Sequence, residues 1–324
     1  MRVFVCEFVT GGGFAGEALP PGLCREGDMM LAALVKDVGD VAGVSVVAAR
    51  DARLKPPPSK NVTWKIMRPD ADPWAAWQGI IADVDAVWPI APETGGLLER
   101  LSAMVLVQGK TLLGCPPSAV ALAASKLATA RHLARHGIAT PPTFPLADAP
   151  ADGLGAWVVK PDDGAGCERT YFAATAKDLA AFRGRAGAQG CVAQAFAPGM
   201  AGSLSMICAE GNAWLLTCNS QDVRVEDNLF RYCGGVVGGM EKFRAGLSPL
   251  AAQVAAAMPE LWGYVGVDVV LGPDGPVVIE VNPRLTTSYA GLRAAIGMNP
   301  AQLVFDLLGA APSRWRHGRV TPQT

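Results

Sequence analysis

Hydrophobic and polar positions divide the first third of the chain into strands and helices by turns. Val3 to Phe8 is a mostly apolar run of strand type, and Glu26 to Val38 places Met29, Met30, Leu34 and Val38 at helical spacing. Val44 to Ala49 predicts a second strand, Trp74 to Asp83 a helix, and Ala86 to Ile90 a third strand. Such alternation implies a parallel sheet with helices on its faces. In open sheets of this kind, ligands sit outside the carboxyl ends of the strands. That rule selects three loops: Thr10 to Gly16, Asp51 to Lys60, and Ala91 to Gly96 with its Glu93.

The pattern changes after Gly114. Pro116-Pro117-Ser118 interrupts it, and Ser125 then has the chemistry of an N-cap for a helix from Lys126 to His136. Gly137 suits the C-terminal end of that helix, and Pro141-Pro142 stops any continuation. Strands are predicted at Trp157 to Lys160, Thr170 to Ala173, Val192 to Phe196, Leu204 to Ala209 and Ala213 to Cys218, the last two joined by a turn at Glu210-Gly211-Asn212. A helix from Pro249 to Trp262, a hairpin of Val265 to Leu271 with Val277 to Val281, and a helix from Tyr289 follow. The expected units are 1–115, 116–190 and 191–310, with a frayed tail at 311–324.

Composition narrows the class. Half of the 324 residues are apolar and 18% are charged, enough for a sizeable core. A net charge of −1 without a Lys/Arg block argues against nucleic-acid or membrane-surface partners. The apolar runs fall well short of the roughly 20 residues that a membrane helix needs. Met1-Arg2 leads straight into the first strand with no cleavable signal pattern. Eight cysteines without C-x-x-C spacing then read as reduced thiols of a cytoplasmic protein. His132 and His136 lie four apart on a helix, but no third zinc ligand is near, and an ordinary basic helix end is the simpler reading.

Two stretches carry chemistry. Asp268, Glu280 and Asn282 lie on the two strands of the last hairpin. If Gly272 to Pro276 forms a five-residue loop, Asp268 falls opposite Glu280, and the three make one oxygen-rich face. An even-numbered loop puts Asp268 on the other face. Oxygen ligands of that kind suit magnesium; the alternative is a solvent-facing polar stripe. The second stretch is Val158-Val159-Lys160 followed by Pro161-Asp162-Asp163-Gly164-Ala165-Gly166-Cys167. A strand-end lysine beside a glycine loop can surround phosphates with a cation and backbone N–H groups. Lys126 opens the Ser125-capped helix and offers a second cation. Taken singly, each lysine is more simply read as solvated.

The ordered set resembles a known family. Ser125-Lys126, Val159-Lys160-Pro161, Val192 to Gly199, Gly266-Val267-Asp268 and Val278-Ile279-Glu280-Val281-Asn282-Pro283-Arg284 are similar, in sequence and spacing, to ATP-grasp enzymes from about Pro117 to Asn299. The resemblance implies an α/β and α+β chain, an ATP-grasp fold behind a Rossmann-like pre-ATP-grasp domain, with two lobes gripping ATP. By the same resemblance Lys126, Lys160, Gly164 and Gly166 meet the phosphates, and Gln194, Ala195 and Phe196 hold the adenine. Asp268, Glu280 and Asn282 would carry magnesium, expected as two ions, and Arg284 would face the transferred phosphoryl group. The chain departs from the pattern at Met200, where an acidic ribose ligand is common, and at Cys167, where a second glycine is common.

Glu7 to Gly13 with Glu26-Gly27-Asp28-Met29-Met30, then Ile90 to Gly96, and Asn219-Ser220-Gln221, resemble the tyramine–glutamate ligase group of methanofuran biosynthesis and its methylofuran relatives. That implies a small-molecule carboxylate and an amine joined through an acyl phosphate, with Lys160 and Arg284 as catalytic residues. Glu93, Arg284 and Arg224 are the expected substrate contacts, Arg224 as a carboxylate clamp unless it pairs with Asp222 or Glu226. ATP-grasp ligases are often dimers, so a homodimer is compatible. Two rival readings exist. One is an NAD-dependent oxidoreductase, since Gly11 to Gly16 fits G-x-G-x-x-G, but Pro20-Pro21-Gly22 separates it from the next helix, and no acidic ribose ligand follows at the required distance. An inactive ATP-binding regulatory protein is the other, opposed by the joint presence of Asp268, Glu280, Asn282 and Arg284.

Overall fold

The computed structural model describes residues 1–150, 155–164, 166–185 and 187–309; the expected tail lies outside the described residues. The first unit runs β1 (Arg2–Glu7), α1 (Pro21–Gly39), β2 (Ser45–Asp51), β3 (Val62–Met67), α2 (Pro73–Ala82), β4 (Ala86–Ile90), α3 (Leu97–Val107) and β5 (Thr111–Leu112). Its sheet has the order β3-β2-β1-β4-β5 and every pairing is parallel. Central β1 explains why: Val3 and Val5 enter one core while Phe4 and Cys6 enter another, so both faces are covered. Edge strand β3 buries only Met67 fully; Val62, Trp64 and Ile66 alternate with Thr63 and Lys65, which was the available signal for it.

The first helix starts earlier than its spacing suggests. Pro20 occupies the N-cap and Pro21 the first turn of α1, where the missing N–H costs nothing. Before it, Val9–Gly13 forms one π-helical turn. Gly12 sits at φ +101°, and a Cβ there would lie 2.7 Å from that of Met67. These glycines permit close packing at the strand end.

The remaining elements are α4 (Pro117–Ala124), α5 (Lys126–Arg135), β6 (Thr143–Pro145), β7 (Trp157–Pro161), β8 (Tyr171–Ala173), α6 (Ala176–Arg183), β9 (Cys191–Ala195), β10 (Met200–Ala209), β11 (Asn212–Glu226), β12 (Leu229–Val236), α7 (Arg244–Ala257), β13 (Gly263–Gly272), β14 (Gly275–Asn282), α8 (Tyr289–Ile296) and α9 (Pro300–Asp306). Their strands form one antiparallel sheet in the order β14-β13-β10-β11-β12-β8-β7-β9-β6. It is two sheets in effect, because β12 and β8 meet through a single pair, Leu229 with Tyr171. Helix α7 begins at Arg244, so Pro249 lies inside it and does not start it. A turn at Glu241–Phe243 leads in, and the Glu241 carboxylate ties Arg244 to the Cys218 backbone.

The hairpin is built differently from the expected five-residue loop. Gly272 pairs with Gly275, so only Pro273 and Asp274 form the turn. An even loop alone would put Asp268 and Glu280 on opposite faces. A bulge at Ile279 adds one residue to β14 and restores Asp268 opposite Glu280.

Core packing joins the first unit to the large lobe. Phe4, Val47 and Val87 belong to the same buried cluster as Leu204, Val265 and Val278. The small lobe has its own cluster, which includes Leu146, Trp157, Val159, Leu179 and Ala193. Among the described residues no helix is long and apolar enough to cross a membrane, and all eight cysteines are free thiols.

Candidate active site between the two lobes

Two adjoining cavities, of about 270 and 430 Å3, lie along the crease between the lobes and share the wall of Asp268 and Glu280. The first is closed by β7, the glycine loop and the segment after β9. Lys126, Lys160, Gly164, Gly166, Gln194, Ala195 and Phe196 all line it, so the expected nucleotide residues converge.

Local structure aims the two lysines. Ser125 Oγ accepts from Ala128 N at 3.0 Å, capping α5, and donates to Asp162 Oδ2 at 2.7 Å. Asp162 also accepts from Leu127 N at 2.8 Å, which pins the start of α5 against the end of β7. Lys126 Nζ thereby reaches the Gly164 carbonyl and stands 3.4 Å from Glu280. Lys160 is buried at the end of β7, and that burial pulls its ammonium down to about 8 despite the nearby charge of Glu280.

The carboxylates respond to the same fields. Burial alone would raise Glu280, but Lys126 and Lys160 overrule it and hold the group below the ordinary range. Asp268 faces Glu280 across the hairpin and is pushed upward, by burial first and by that neighbouring negative charge second. It accepts from Gln221 Nε2 at 2.9 Å and from Asn282 Nδ2 at 3.1 Å. Two facing carboxylates with an adjacent amide are a hard-oxygen donor set, and their mutual repulsion is what a divalent cation relieves. The residues therefore fit magnesium. Among the described residues no group of three or more His, Cys, Asp or Glu forms a metal cluster, so phosphate oxygens and water would complete the coordination.

Arg284 lines the second cavity and is held by a residue of the first unit. Its Nε and Nη2 donate to the two oxygens of Glu93, each at 2.9 Å, and Nη1 donates to the Leu285 carbonyl. Glu93 itself lines neither cavity. The adjoining Thr94 and Gly95 bond to Asp163 of the glycine loop, so one loop touches both lobes. Of the three loops selected from strand ends, this is the one that reaches the site.

Arg224 does not. Val223 and Val225 line the first cavity, and strand alternation turns Arg224 to the other face, where Asp222 binds it at 2.7 Å. The sequence reading also missed contributors. Phe230 and Tyr232 come from β12, a strand it did not contain, and Phe230 lies 6.5 Å from the ring of Phe196 at the cavity wall. Glu26, Met29 and Met30 line the second cavity from α1; their i, i+3, i+4 spacing was the available signal. The His132 and His136 rings turn away to backbone carbonyls, of Ala257 and His132 respectively.

Known proteins share this fold. Residues 123–288 match the model of the ATP-grasp domain, and residues 44–120 match that of the pre-ATP-grasp 3 domain. The chain is similar to the tyramine–L-glutamate ligase of Methanocaldococcus jannaschii, 28% identical over 212 residues, covering 65% of this chain and 59% of that protein. It is also similar to the enzyme of the same name from Methanocaldococcus fervens, 25% identical over 289 residues, covering 89% of this chain and 88% of the relative. Among solved structures, an ATP-grasp superfamily protein from Archaeoglobus fulgidus superposes with a TM-score of 0.73 at 24% identity, covering 94% of this chain and 88% of that one. The L-amino acid ligase of Bacillus licheniformis superposes with a TM-score of 0.68 at 18% identity, covering 99% and 77%. The relatives matched in sequence are tyramine–L-glutamate ligases by name, and this chain, with its paired lysines and facing carboxylates between two lobes, belongs to the ATP-grasp family.

Proposed function

We propose that the protein is an ATP-dependent carboxylate–amine ligase. The observation that carries this reading is the meeting of Lys126 and Lys160 with Asp268 and Glu280 on the wall common to both cavities. A nucleotide in the first cavity would present its terminal phosphate at that wall, beside the second cavity. The two lysines and the N–H groups at Gly164 and Gly166 neutralise and orient the phosphates. Asp268, Glu280 and Asn282 would hold magnesium, taken as two ions, which supplies charge compensation for the triphosphate when bound.

A carboxylate oxygen attacks the γ-phosphorus, and ADP leaves with the bond to its β-phosphate oxygen. The resulting acyl phosphate is then attacked by a neutral amine at the acyl carbon. Inorganic phosphate departs and the nitrogen sheds a proton, leaving an amide. Arg284 can fork onto phosphoryl oxygens through these steps. We assign Glu93 the task of orienting Arg284, since it contacts neither cavity.

For substrates we infer glutamate as the carboxylate and tyramine, tyrosine or a related amine as acceptor, in a methylofuran-type pathway in the cytoplasm. The names of the relatives support glutamate and tyramine within that choice. The test is ADP release with ATP, magnesium and glutamate across a panel of amines, with product masses recorded. Amine-dependent release together with a new amide is the expected result. ATP binding without amine-dependent turnover would sink the reading.

A further inference from the structure

The second cavity contains one charged group with nothing to do. Four of its lining side chains carry charge: Glu26, Asp268, Glu280 and Arg284. Asp268 is bonded by Gln221 and Asn282, Glu280 faces Lys126, and Arg284 is gripped by Glu93. The Glu26 side chain has no hydrogen bond or ion pair among the described residues. Burial pushes its carboxyl above the usual range, although Arg284 and Arg25 pull the other way. A half-buried carboxylate with no side-chain partner is one that an incoming hydrogen-bonding cation would satisfy.

The neighbours of Glu26 define what the cation is attached to. Met29 and Met30 follow one helical turn later on the same face of α1, and Val236 and Val237 stand at the end of β12. Met29 and Val236 are 44% and 63% exposed, large apolar groups presented to a cavity. The helix is seated firmly enough to fix this arrangement. Gly27 packs against the buried Glu7 carboxylate, where an added Cβ would lie 2.8 Å away, and Glu7 is itself tied to Val9 N and Thr10 N.

We propose that Glu26 receives the ammonium group of the acceptor amine, and that Met29, Val236 and Val237 select an acceptor whose ammonium is carried on an apolar body. The assignment rests on the ligase reading, and it names a specificity element within it. A volume of about 430 Å3 suits a small organic molecule of this kind. An ammonium could equally belong to an α-amino acid that supplies the carboxylate, so the two sources need separate arms.

Calorimetric titration of the full chain in magnesium–ADP distinguishes them. Tyramine is compared with neutral 4-ethylphenol, and glutamate with glutarate, on the wild type, Glu26→Gln and Met29→Ser. The expected result is a preference for tyramine over 4-ethylphenol of about tenfold to a hundredfold in the wild type, the range for a charged hydrogen bond. Glu26→Gln should erase it. Met29→Ser should weaken tyramine while leaving ethylamine unchanged, with thermal melts confirming that both variants fold. No ammonium preference, or one that survives in Glu26→Gln, overturns the proposal. Loss of the glutamate-over-glutarate preference in Glu26→Gln also overturns it, moving Glu26 to the carboxylate substrate. Wild-type protein that binds tyramine through Glu26 yet forms no amide would overturn the ligase reading and leave this one standing.

Discussion

At the scale of single residues, the most exposed commitment is Glu280. It balances two lysines and faces Asp268, yet it contributes no core packing. Glu280→Ala should lower turnover on the order of 10²–10³-fold with an unchanged circular dichroism spectrum; near-normal ADP release would remove it from the metal site. Lys160 yields a pH signature. Below about 8 it carries its charge, and above that it is progressively neutral in the protein before nucleotide is added. Added phosphates favour the charged form, so ATP binding between about pH 8 and the ordinary lysine value takes up a proton, and affinity falls as pH rises through that window. Calorimetry in buffers of different ionisation heat should detect the proton, and Lys160→Ala should abolish it along with part of the affinity. Residues such as these were singled out by the order of motifs in which they stand, since a strand-end lysine or a hairpin carboxylate taken singly reads as a solvated group. Glu26 stood inside the Glu26-Gly27-Asp28-Met29-Met30 motif, but nothing in the sequence said that its helix face lines the second cavity. For Arg224 the alternative of an ion pair with Asp222 is the one the structure contains, and the alternation Asp222-Val223-Arg224-Val225-Glu226 already put it on the face opposite the two valines.

At the scale of elements, capping and pairing decide where the site residues stand. Ser125 was readable as an N-cap and does cap α5. It also bonds Asp162 across to the small lobe. Ser125→Ala should therefore cost about 1 kcal/mol of stability in denaturant melts and, in addition, raise the KM for ATP by loosening Lys126. A stability loss with ATP kinetics untouched would show that the cap alone matters. The hairpin teaches a different lesson. Asp268 does oppose Glu280, but the expected odd loop is absent, and an even turn with a bulge at Ile279 reaches the same register. A bulge leaves little trace in an apolar run, since Val277, Val278 and Ile279 look alike to any periodic reading. Short strands such as β5 and β6, of two and three residues, escape for want of length.

At the scale of the molecule, the first unit is part of the active site as well as a neighbour of it. Glu93 and Arg284 are 191 residues apart in sequence and meet as a buried ion pair. Removing one partner strands a buried charge, so Glu93→Ala should destabilise the fold by about 3–5 kcal/mol. Replacing both, as Glu93→Leu with Arg284→Met, should recover most of that stability in the same melts, because a buried pair contributes little net beyond apolar packing. Turnover should stay lost in the double variant; recovery of activity with stability would mean that the pair serves folding alone. Fold class was readable from alternation and motif order, whereas this contact was not, since no local pattern joins a strand-end glutamate to a distant arginine. The seam of the long sheet has one further consequence. Because a single residue pair bridges β12 and β8, and the small lobe keeps a core of its own, the small lobe is expected to open as a cooperative unit apart from the rest of the sheet. Any molecule seated across the crease between the lobes acts as a staple, so nucleotide affinity and the resistance of the small lobe to local unfolding are two readings of one free energy.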